Sequence, residues 1–274
     1  MLTLRSMALL TGVSLLGTAC GGPEDQAPQD VGGMTYEEFR KDVYQEPDTG
    51  IFIAFGDQAY ENEAQLREAF EQASSGLGTS QDGLIIFSSG GRDAKWGPNK
   101  ALNLTYCVST AFGSRYGQVV AAMNLAAASW ESTGARINFI HASSEDRNCN
   151  ASNNNVLFDV SPANANSRYY ARAFLPGYAR NARNVLIDAS AFDTRLIPNL
   201  GGLMRHELGH ALGFAHEHTR PEARTCYESS GWRELTPYDS RSVMHYPWCN
   251  GTSGNRLFKL SDWDRYGVRI AYPW

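Results

Sequence analysis

The stretch His206-Glu207-Leu208-Gly209-His210-Ala211-Leu212-Gly213-Phe214-Ala215-His216 places three histidines and one glutamate within eleven residues. Histidines at positions i and i+4 of a helix project from the same face, so His206 and His210 are able to reach one ion. Gly213 can end that helix, because glycine adopts positive φ at little cost and is common just past a helix terminus. The turn brings His216 back to the other two histidines. The stretch therefore predicts a short helix, a glycine turn and a zinc site with three protein ligands.

Three histidine ligands indicate a catalytic ion, since structural zinc is usually closed by four protein ligands rich in cysteine. One Zn2+ held in this way has an open position for water or substrate, and it lowers the pKa of its water from about 15.7 to about 7. Glu207, next to His206, is placed to take the proton from that water. Five of the six histidines lie between His206 and His245, and packing gives no reason for that clustering. The sequence thus predicts metal-assisted hydrolysis with Glu207 as the general base.

A second stretch, Ser242-Val243-Met244-His245-Tyr246, follows downstream of the histidines. The two stretches together resemble the metzincin clan of zinc endopeptidases, in which the extended histidine motif is followed by a methionine turn. Phe214 and Glu217 also match the continuation of the motif in the astacin family. The resemblance implies that Met244 forms a hydrophobic floor under the zinc histidines. It also implies that Tyr246 is a distant fifth ligand, able to swing away and hydrogen-bond the tetrahedral oxyanion.

The resemblance covers residues 98 to 274 and implies an α+β fold. A metzincin-like catalytic domain has a twisted, mostly parallel sheet, a long backing helix, a zinc-binding active-site helix and a C-terminal helix. Because this catalytic part is short, compact bacterial relatives such as the HEIGH-type metallopeptidases are the alternative to astacins proper. Residues 171 to 177 resemble the edge strand and following loop of matrix metalloproteinases, a strand that pairs with an extended peptide or protein substrate. An ordinary edge strand ended by Pro-Gly is the alternative.

The hydrophobic pattern of residues 98 to 274 predicts the same order of elements. A long helix is expected over residues 115 to 133, ended by Gly134. A last helix is expected to begin at Ser261, which can cap it, with Asp264 three residues further on. The predicted strands of this part are residues 102–108, 136–141, 156–160, 170–175 and 185–188.

The N-terminus has the pattern of an export signal. Arg5 precedes an apolar stretch from Met7 to Ala19, which is too short to span a membrane. Leu16-Gly17-Thr18-Ala19-Cys20 resembles a bacterial lipobox, although Gly17 replaces the preferred leucine. Residues 1 to 20 are therefore predicted to be a signal peptide, with Cys20 as the lipidated first residue of a surface or outer-membrane lipoprotein. Simple secretion, with Cys20 inside a removed peptide, is the alternative.

The four remaining cysteines form an even set in a chain expected to leave the reducing cytoplasm. They allow three pairings. Cys107 with Cys149 and Cys226 with Cys249 are preferred, because each pair closes a moderate loop within one half of the domain. A cysteine ligand to zinc is the rival interpretation, but three histidines already suffice.

Residues 21 to 97 are predicted to be a tether and a prosegment. Thr35 and Glu38 have the form of a capping box that opens a short helix. A strand at residues 51–55, a helix at 61–73, a strand at 84–87 and a Gly-rich connector at 88–99 are expected to follow.

Asp57 in this prosegment suggests a latency switch. Residues 54 to 57, Ala-Phe-Gly-Asp, resemble the stretch of astacin prosegments that lays its aspartate on the zinc in place of water. A plain Gly-Asp turn is the alternative. The resemblance also implies that Glu217 meets the freed mature N-terminus; otherwise Glu217 is expected at the surface. His218, with no matched role, is expected at the surface too.

Composition places the chain among ordinary globular proteins, with 42% hydrophobic residues, 19% charged residues and a net charge of −5. No basic cluster suggests nucleic acid, and contact with a membrane is expected only through the lipid anchor. The protein is expected to act as a monomeric zinc endopeptidase. Two alternatives remain open: a zinc-retaining surface lipoprotein that acts as a binding module, and a zinc amidase that acts on non-protein amides.

Overall fold

The computed structural model describes Val31 and residues 33–75, 84–228, 231–252 and 257–274. The predicted signal peptide and Cys20 lie outside these described residues. Among the helices in these ranges, none combines the length and the apolar character that a membrane crossing requires. The expected α+β class is confirmed, with a mostly parallel sheet and helices packed against it.

The N-terminal unit, residues 33 to 75, has helices at both ends and a small sheet between them. Helix α1 spans Tyr36–Asp42, and Thr35 and Glu38 form the predicted capping box. Strands β1 (Tyr44–Gln45), β2 (Phe52–Ala54) and β3 (Gln58–Tyr60) form an antiparallel sheet in that order, and helix α2 spans Glu63–Ser75. The unit has its own hydrophobic core, built around Phe39, Phe55, Leu66 and Phe70. This core is what allows so short a segment to hold a defined shape.

The main sheet has five strands in the order β7-β6-β8-β10-β9. Their bounds are β6 Leu104–Val108, β7 Phe139–His141, β8 Phe158–Pro162, β9 Ala171–Arg172 and β10 Asn184–Ile187. Every neighbouring pair is parallel except β9 and β10, which are antiparallel. The predicted edge strand is therefore present, but it is two residues long instead of six, because the chain turns away from β10 after Arg172.

The predicted long helix, α4, spans Tyr116–Glu131. It packs against α5 (Leu200–Ala211), and the indole of Trp130 donates to the carbonyl of Arg205 at 2.8 Å. Gly134 follows the helix with φ of 80°, a conformation that glycine adopts most readily. The long helix thereby supports the helix that carries His206 and His210.

Residues 84 to 97 are built into the same part of the molecule as the main sheet and α5. Strand β4 (Ile85–Ser89) lies between β5 (Arg92–Asp93) and β11 (Trp232–Glu234) in an antiparallel sheet. The amide of Ala215 donates to the carbonyl of Ile85 at 3.0 Å. Trp96 is buried in the main core, and its indole donates to the carbonyl of Ala211 at 2.8 Å. A short helix, α3 (Pro98–Ala101), leads from there into the main sheet.

The C-terminal helix α6 spans Asp262–Ala271, and Ser261 and Asp264 form a capping box at its start. The carboxylate of Asp264 also accepts hydrogen bonds from the Ser242 hydroxyl at 2.6 Å and the Val243 amide at 2.8 Å. One buried carboxylate therefore fixes both the start of α6 and the stretch that contains Met244.

Short 3-10 turns complete the described chain: Thr110–Arg115, Ser143–Asn148, Arg180–Ala182, Ala189–Phe192, Glu217–Thr219 and Pro221–Ala223.

Candidate zinc site

Helix α5 presents His206 and His210 from one face, and the turn after it brings in His216. Asn199 caps the helix by accepting a hydrogen bond from the amide of Gly202. Gly213, with φ of 102°, reverses the chain, and a Cβ at this position would lie 1.8 Å from the carbonyl oxygen of Ala94. Both the backbone conformation and the close contact therefore require glycine at this turn.

The three histidine Nε2 atoms converge on one point. The distances between them are 3.3 Å for His206 and His216, 3.2 Å for His206 and His210, and 3.1 Å for His210 and His216. Tetrahedral ligands about 2.0 to 2.1 Å from a zinc ion lie about 3.3 to 3.4 Å from one another. The triangle therefore has the size that a zinc ion requires.

The opposite ring nitrogens of the same histidines decide which nitrogen carries the proton. Nδ1 of His206 faces the carbonyl of Val243 at 2.8 Å, and Nδ1 of His210 faces the carbonyl of Phe214 at 2.9 Å. Nδ1 of His216 faces the carboxylate of Glu228 at 2.8 Å. Because each Nδ1 faces an acceptor to which it can donate, each Nε2 is left to offer its lone pair to a metal ion that replaces a proton there. Three lone pairs that point at one buried spot repel one another, and a cation between them removes that repulsion. The residues present therefore fit a zinc ion.

Glu207 lies on α5 beside the first histidine. Its carboxylate is buried, and neither oxygen has a hydrogen-bond partner among the described residues. Burial raises the pKa of Glu207 well above its usual value, and the charge of Asp57 adds to the rise, while the charges of His216 and Arg172 oppose it. A carboxylate with a raised pKa and free lone pairs is suited to accepting and returning a proton.

Met244 and Tyr246 close two sides of the histidine cluster. Met244 is fully buried directly under α5, where a Cβ on Gly209 would lie 2.3 Å from its Sδ atom. The ring of Tyr246 lies 4.5 Å from that of His216, measured between centroids. Burial raises the pKa of Tyr246 well above its usual value, and the carboxylate of Asp57 raises it further through its charge and a hydrogen bond.

The structure places Asp57 directly over the three histidines. Its Oδ1 lies 3.0 Å from Nε2 of His216 and 3.7 Å from Nε2 of His210, and its Oδ2 lies 3.5 Å from Nε2 of His206. Asp57 also lies in the tight turn between β2 and β3, so both the turn and the position over the histidines are present. Burial acts to raise the pKa of Asp57, but its interactions with His216 and His206 lower it well below the usual value. The four side chains together form a buried group able to hold one metal ion.

His218, which was expected at the surface, and Glu217, for which the surface was the alternative to contact with a freed N-terminus, are both buried. His218 has 0% exposure, and its Nε2 lies 2.7 Å from Glu228 while its Nδ1 accepts from the amide of Tyr246 at 3.2 Å. Glu217 also has 0% exposure, and it accepts from the amide of Asp239 at 3.0 Å. A surface position is wrong for both residues, because their partners Glu228, Asp239 and Tyr246 lie further along the chain and are brought in by the fold.

Glu228 is the site residue that sequence reasoning missed. Its carboxylate lies between two rings, accepting from Nδ1 of His216 and from Nε2 of His218. Burial acts to raise the pKa of Glu228, but the two histidines lower it below the usual value. Burial lowers the pKa of His218 to about 4, so that ring is neutral near pH 7. Glu228 is thus the buried, ionised acceptor that orients His216.

Both preferred disulfides are present in the structure. Cys107 is joined to Cys149, and Cys226 is joined to Cys249. The second bond lies two residues before Glu228 and three residues after Tyr246, and it therefore ties the loop that orients His216 to the segment that carries the tyrosine.

Two histidines on one helix face, a glycine turn to a third histidine and a buried methionine beneath them match the pattern of metzincin zinc sites. Comparison with known proteins points the same way. A segment of 86 residues is 34% identical to zinc metalloproteinase nas-30 of Caenorhabditis elegans, covering 24% of this chain and 10% of that protein. A segment of 62 residues is 39% identical to high choriolytic enzyme 2 of Oryzias latipes, covering 16% of this chain and 22% of that enzyme.

The chain therefore spans less than a quarter of the length of these curated relatives. A solved structure of high choriolytic enzyme 1, described as a hatching enzyme zinc-protease of Oryzias latipes, aligns with a TM-score of 0.42 and 18% identity. That alignment covers 65% of this chain and 94% of the other. No protein-family profile matches the chain. The expected resemblance to astacin-like zinc metalloproteinases is confirmed by the two sequence relatives.

Proposed function

We propose that this protein is a zinc-dependent endopeptidase that hydrolyses peptide bonds of protein substrates. The observation that carries the proposal is the convergence of three Nε2 lone pairs beside the unpartnered, buried carboxylate of Glu207. His206, His210 and His216 would hold the zinc ion, which would supply Lewis-acid chemistry for a substrate carbonyl and for water.

Two side chains supply the remaining chemistry. Glu207 accepts the proton of the attacking water and returns it to the leaving amine, for which its raised pKa and free oxygens suit it. Tyr246, whose phenol keeps its proton because of its raised pKa, donates to the oxyanion as the carbonyl becomes tetrahedral. Donors of this kind contribute about 2.7 to 4 kcal/mol in other hydrolases.

We propose that Asp57 keeps the intact chain latent. Its carboxylate occupies the position over the histidines that substrate needs, with Oδ1 3.0 Å from Nε2 of His216. A Cβ on Gly56 would lie 2.7 Å from the hydroxyl of Tyr246, so the same turn also covers the oxyanion donor. Removal of the N-terminal unit then frees both groups together.

The contacts of residues 84 to 97 argue that this stretch stays with the enzyme. A cut at residue 97, the boundary expected from the sequence, would remove β4 from between its two neighbours and Trp96 from the main core. We therefore place the end of the removable part before Leu84. Glu217 is already engaged by the amide of Asp239 in the intact chain.

We also propose that the protein acts outside the cytoplasm, as a monomer. Its disulfides suit an oxidising compartment, and the N-terminal sequence supports a signal peptide with Cys20 as a lipid anchor at the surface of a bacterial cell or its outer membrane. Secretion without the anchor is the alternative.

The experiment that tests the proposed activity uses processed protein, denatured casein and the chelator phenanthroline. The parent is expected to cleave casein, to lose that activity with chelator and to regain it with zinc. Glu207→Gln is expected to bind stoichiometric zinc and cleave nothing. Cleavage by Glu207→Gln at the parental rate would falsify the proposed role. Zinc binding by the parent without hydrolysis of casein would favour the binding module, or the amidase if non-protein amides are cleaved.

A further inference from the structure

The strongest feature outside the zinc site is a buried ion pair between the N-terminal unit and the main sheet. The guanidinium of Arg172, on edge strand β9, donates to Glu46 through Nε at 2.8 Å and Nη2 at 2.5 Å. Arg172 is 0% exposed and Glu46 is 3% exposed. A two-pronged contact of this kind matches the planar geometry of both groups and is among the stronger polar interactions in proteins.

The pocket around this carboxylate is built by the main domain. The hydroxyl of Tyr169 donates to Oε1 of Glu46 at 2.6 Å, and Nη1 of Arg172 donates to the carbonyl of Asn184 at 3.1 Å. The acidic side chain nearby, Asp159, is already paired with Arg180 at 2.8 Å. Arg172 and Tyr169 thus form a carboxylate-binding pocket whose present occupant belongs to the N-terminal unit.

The N-terminal unit occupies this pocket and the zinc site at the same time. Glu46 precedes β2, and Asp57 follows it, so ten residues lie between the two contacts. Strand β2 therefore links the two contacts, and one N-terminal unit covers both the Arg172 pocket and the histidine cluster.

Removal of the N-terminal unit would leave Arg172 without its ionic partner. Arginine stays protonated in proteins, and a buried charge that loses its partner is strongly unfavourable. We propose that Arg172, with the hydroxyl of Tyr169, binds an acidic side chain of the peptide substrate in the place that Glu46 occupies in the intact chain. This assignment rests on the proposed peptidase function and makes Arg172 a specificity-determining residue.

The test measures the preference of the processed protein for acidic peptides. Peptides identical except for Glu, Gln or Lys at each position flanking the cleaved bond are compared by kcat/KM. At one position, Glu is expected to be favoured over Gln by about 30-fold or more, because an amide leaves the buried guanidinium without a counter-charge. Equal rates for Glu and Gln at every position overturn the proposal.

Variants of the pocket test whether Arg172 and Tyr169 cause the preference for Glu. Arg172→Met is expected to abolish it, and Tyr169→Phe to reduce it. Arg195→Met, a matched control at an arginine that is 87% exposed in its side chain, is expected to retain it. A preference that survives in folded Arg172→Met overturns the assignment. If Arg172→Met does not fold, the Glu preference of Tyr169→Phe is compared with that of the parent. An equal preference in the two proteins overturns the assignment.

A binding measurement separates this assignment from the activity itself. Processed Glu207→Gln protein is titrated with the Glu and Gln peptides, and affinity is followed by fluorescence anisotropy. Tighter binding of the Glu peptide, even without any hydrolysis by the parent, supports the carboxylate pocket while the peptidase function fails. Hydrolysis by the parent with equal affinity for both peptides overturns the pocket and leaves the peptidase function intact.

Discussion

Gly209 and Met244 are packed so closely that a single added carbon would not fit between them. A Cβ on Gly209 would lie 2.3 Å from Sδ of Met244 and 3.3 Å from the indole of Trp130. The helix with the zinc-facing histidines therefore rests directly on the methionine sulfur. The absence of a side chain at position 209 sets the height of His206 and His210 above that floor.

Gly209→Ala is expected to lower the free energy of unfolding by about 1 to 3 kcal/mol through overpacking, although alanine is the better helix former by about 1 kcal/mol. Gly201→Ala, on the same helix, is the matched control, because its Cβ meets mainly the end of the half-exposed Leu125 side chain at 2.9 Å. That variant is expected to be neutral or slightly stabilised. Denaturant unfolding of zinc-loaded protein measures the free energy of unfolding of both variants. Equal changes in the two variants would contradict the tight fit at Gly209.

Asp57→Ala in the intact chain is expected to release part of the activity without processing, while the rest stays blocked by the turn that covers Tyr246. The substitution removes the carboxylate that covers the histidines and leaves the zinc ligands in place. Casein hydrolysis by uncleaved protein, checked for length by mass spectrometry, is the measurement. Asp42→Ala, at an exposed aspartate of the same unit, is the control and should stay latent. Unchanged latency in Asp57→Ala would remove the switch.

Glu228→Gln is expected to weaken zinc binding by about 10- to 100-fold, as loss of such an orienting partner does at other zinc sites. Both His216 and His218 donate to this carboxylate, and a glutamine oxygen replaces only one of its two acceptors. Glu222→Gln in the same loop is the control, because its carboxylate faces Arg220 instead of a histidine. Competition with a chromophoric chelator measures the affinity, and parental affinity in Glu228→Gln would contradict the orienting role.

Asp264 is expected to give a pH-dependent contribution to stability. Burial raises its pKa from 3.8 to about 6, against hydrogen bonds from Ser242, Val243 and Ser261 that lower it. Between about pH 4 and pH 6 the folded protein then binds this proton more tightly than the unfolded chain does, so the contribution falls as the pH rises. A shift of this size corresponds to about 3 kcal/mol.

The measurement for Asp264 is the difference in free energy of unfolding between the parent and Asp264→Asn. This difference is expected to decrease as the pH rises from about 4 to about 6. Asp262→Asn, in the same helical turn but exposed, controls for the general effect of losing an acid. A difference that stays constant across the window for Asp264→Asn would count against the raised pKa.

The elements that were predictable from sequence are those whose signals are local. The capping boxes at Thr35 and Ser261 involve residues three positions apart, and both helices begin where expected. The ligand-bearing stretch is also local, because a helix, a glycine turn and three histidines fit within eleven residues. The disulfide pairing followed from loop length, since each bond closes a moderate loop.

Features that depend on distant contacts were missed. No motif in the sequence marks Glu228 as a site residue. The predicted disulfide between Cys226 and Cys249 does place the loop that contains Glu228 close to Tyr246. The stretch around Gly90 and Gly91 was interpreted as a connector because of its composition. In the structure these two glycines, with φ of 56° and 74°, form the tight turn between β4 and β5. Strand β4 pairs with β5 across this turn and, on its other side, with β11 far along the chain.

Three side chains of the N-terminal unit, Ile51, Ile53 and Ala59, belong to the main core and not to the core of their own unit. A chain that sheds this unit loses part of the apolar packing of its main core. The intact chain keeps that packing and is expected to refold from denaturant more readily than the shortened product. Removal of the N-terminal unit would then make folding hard to repeat. The shortened chain would keep its structure only as long as it does not unfold.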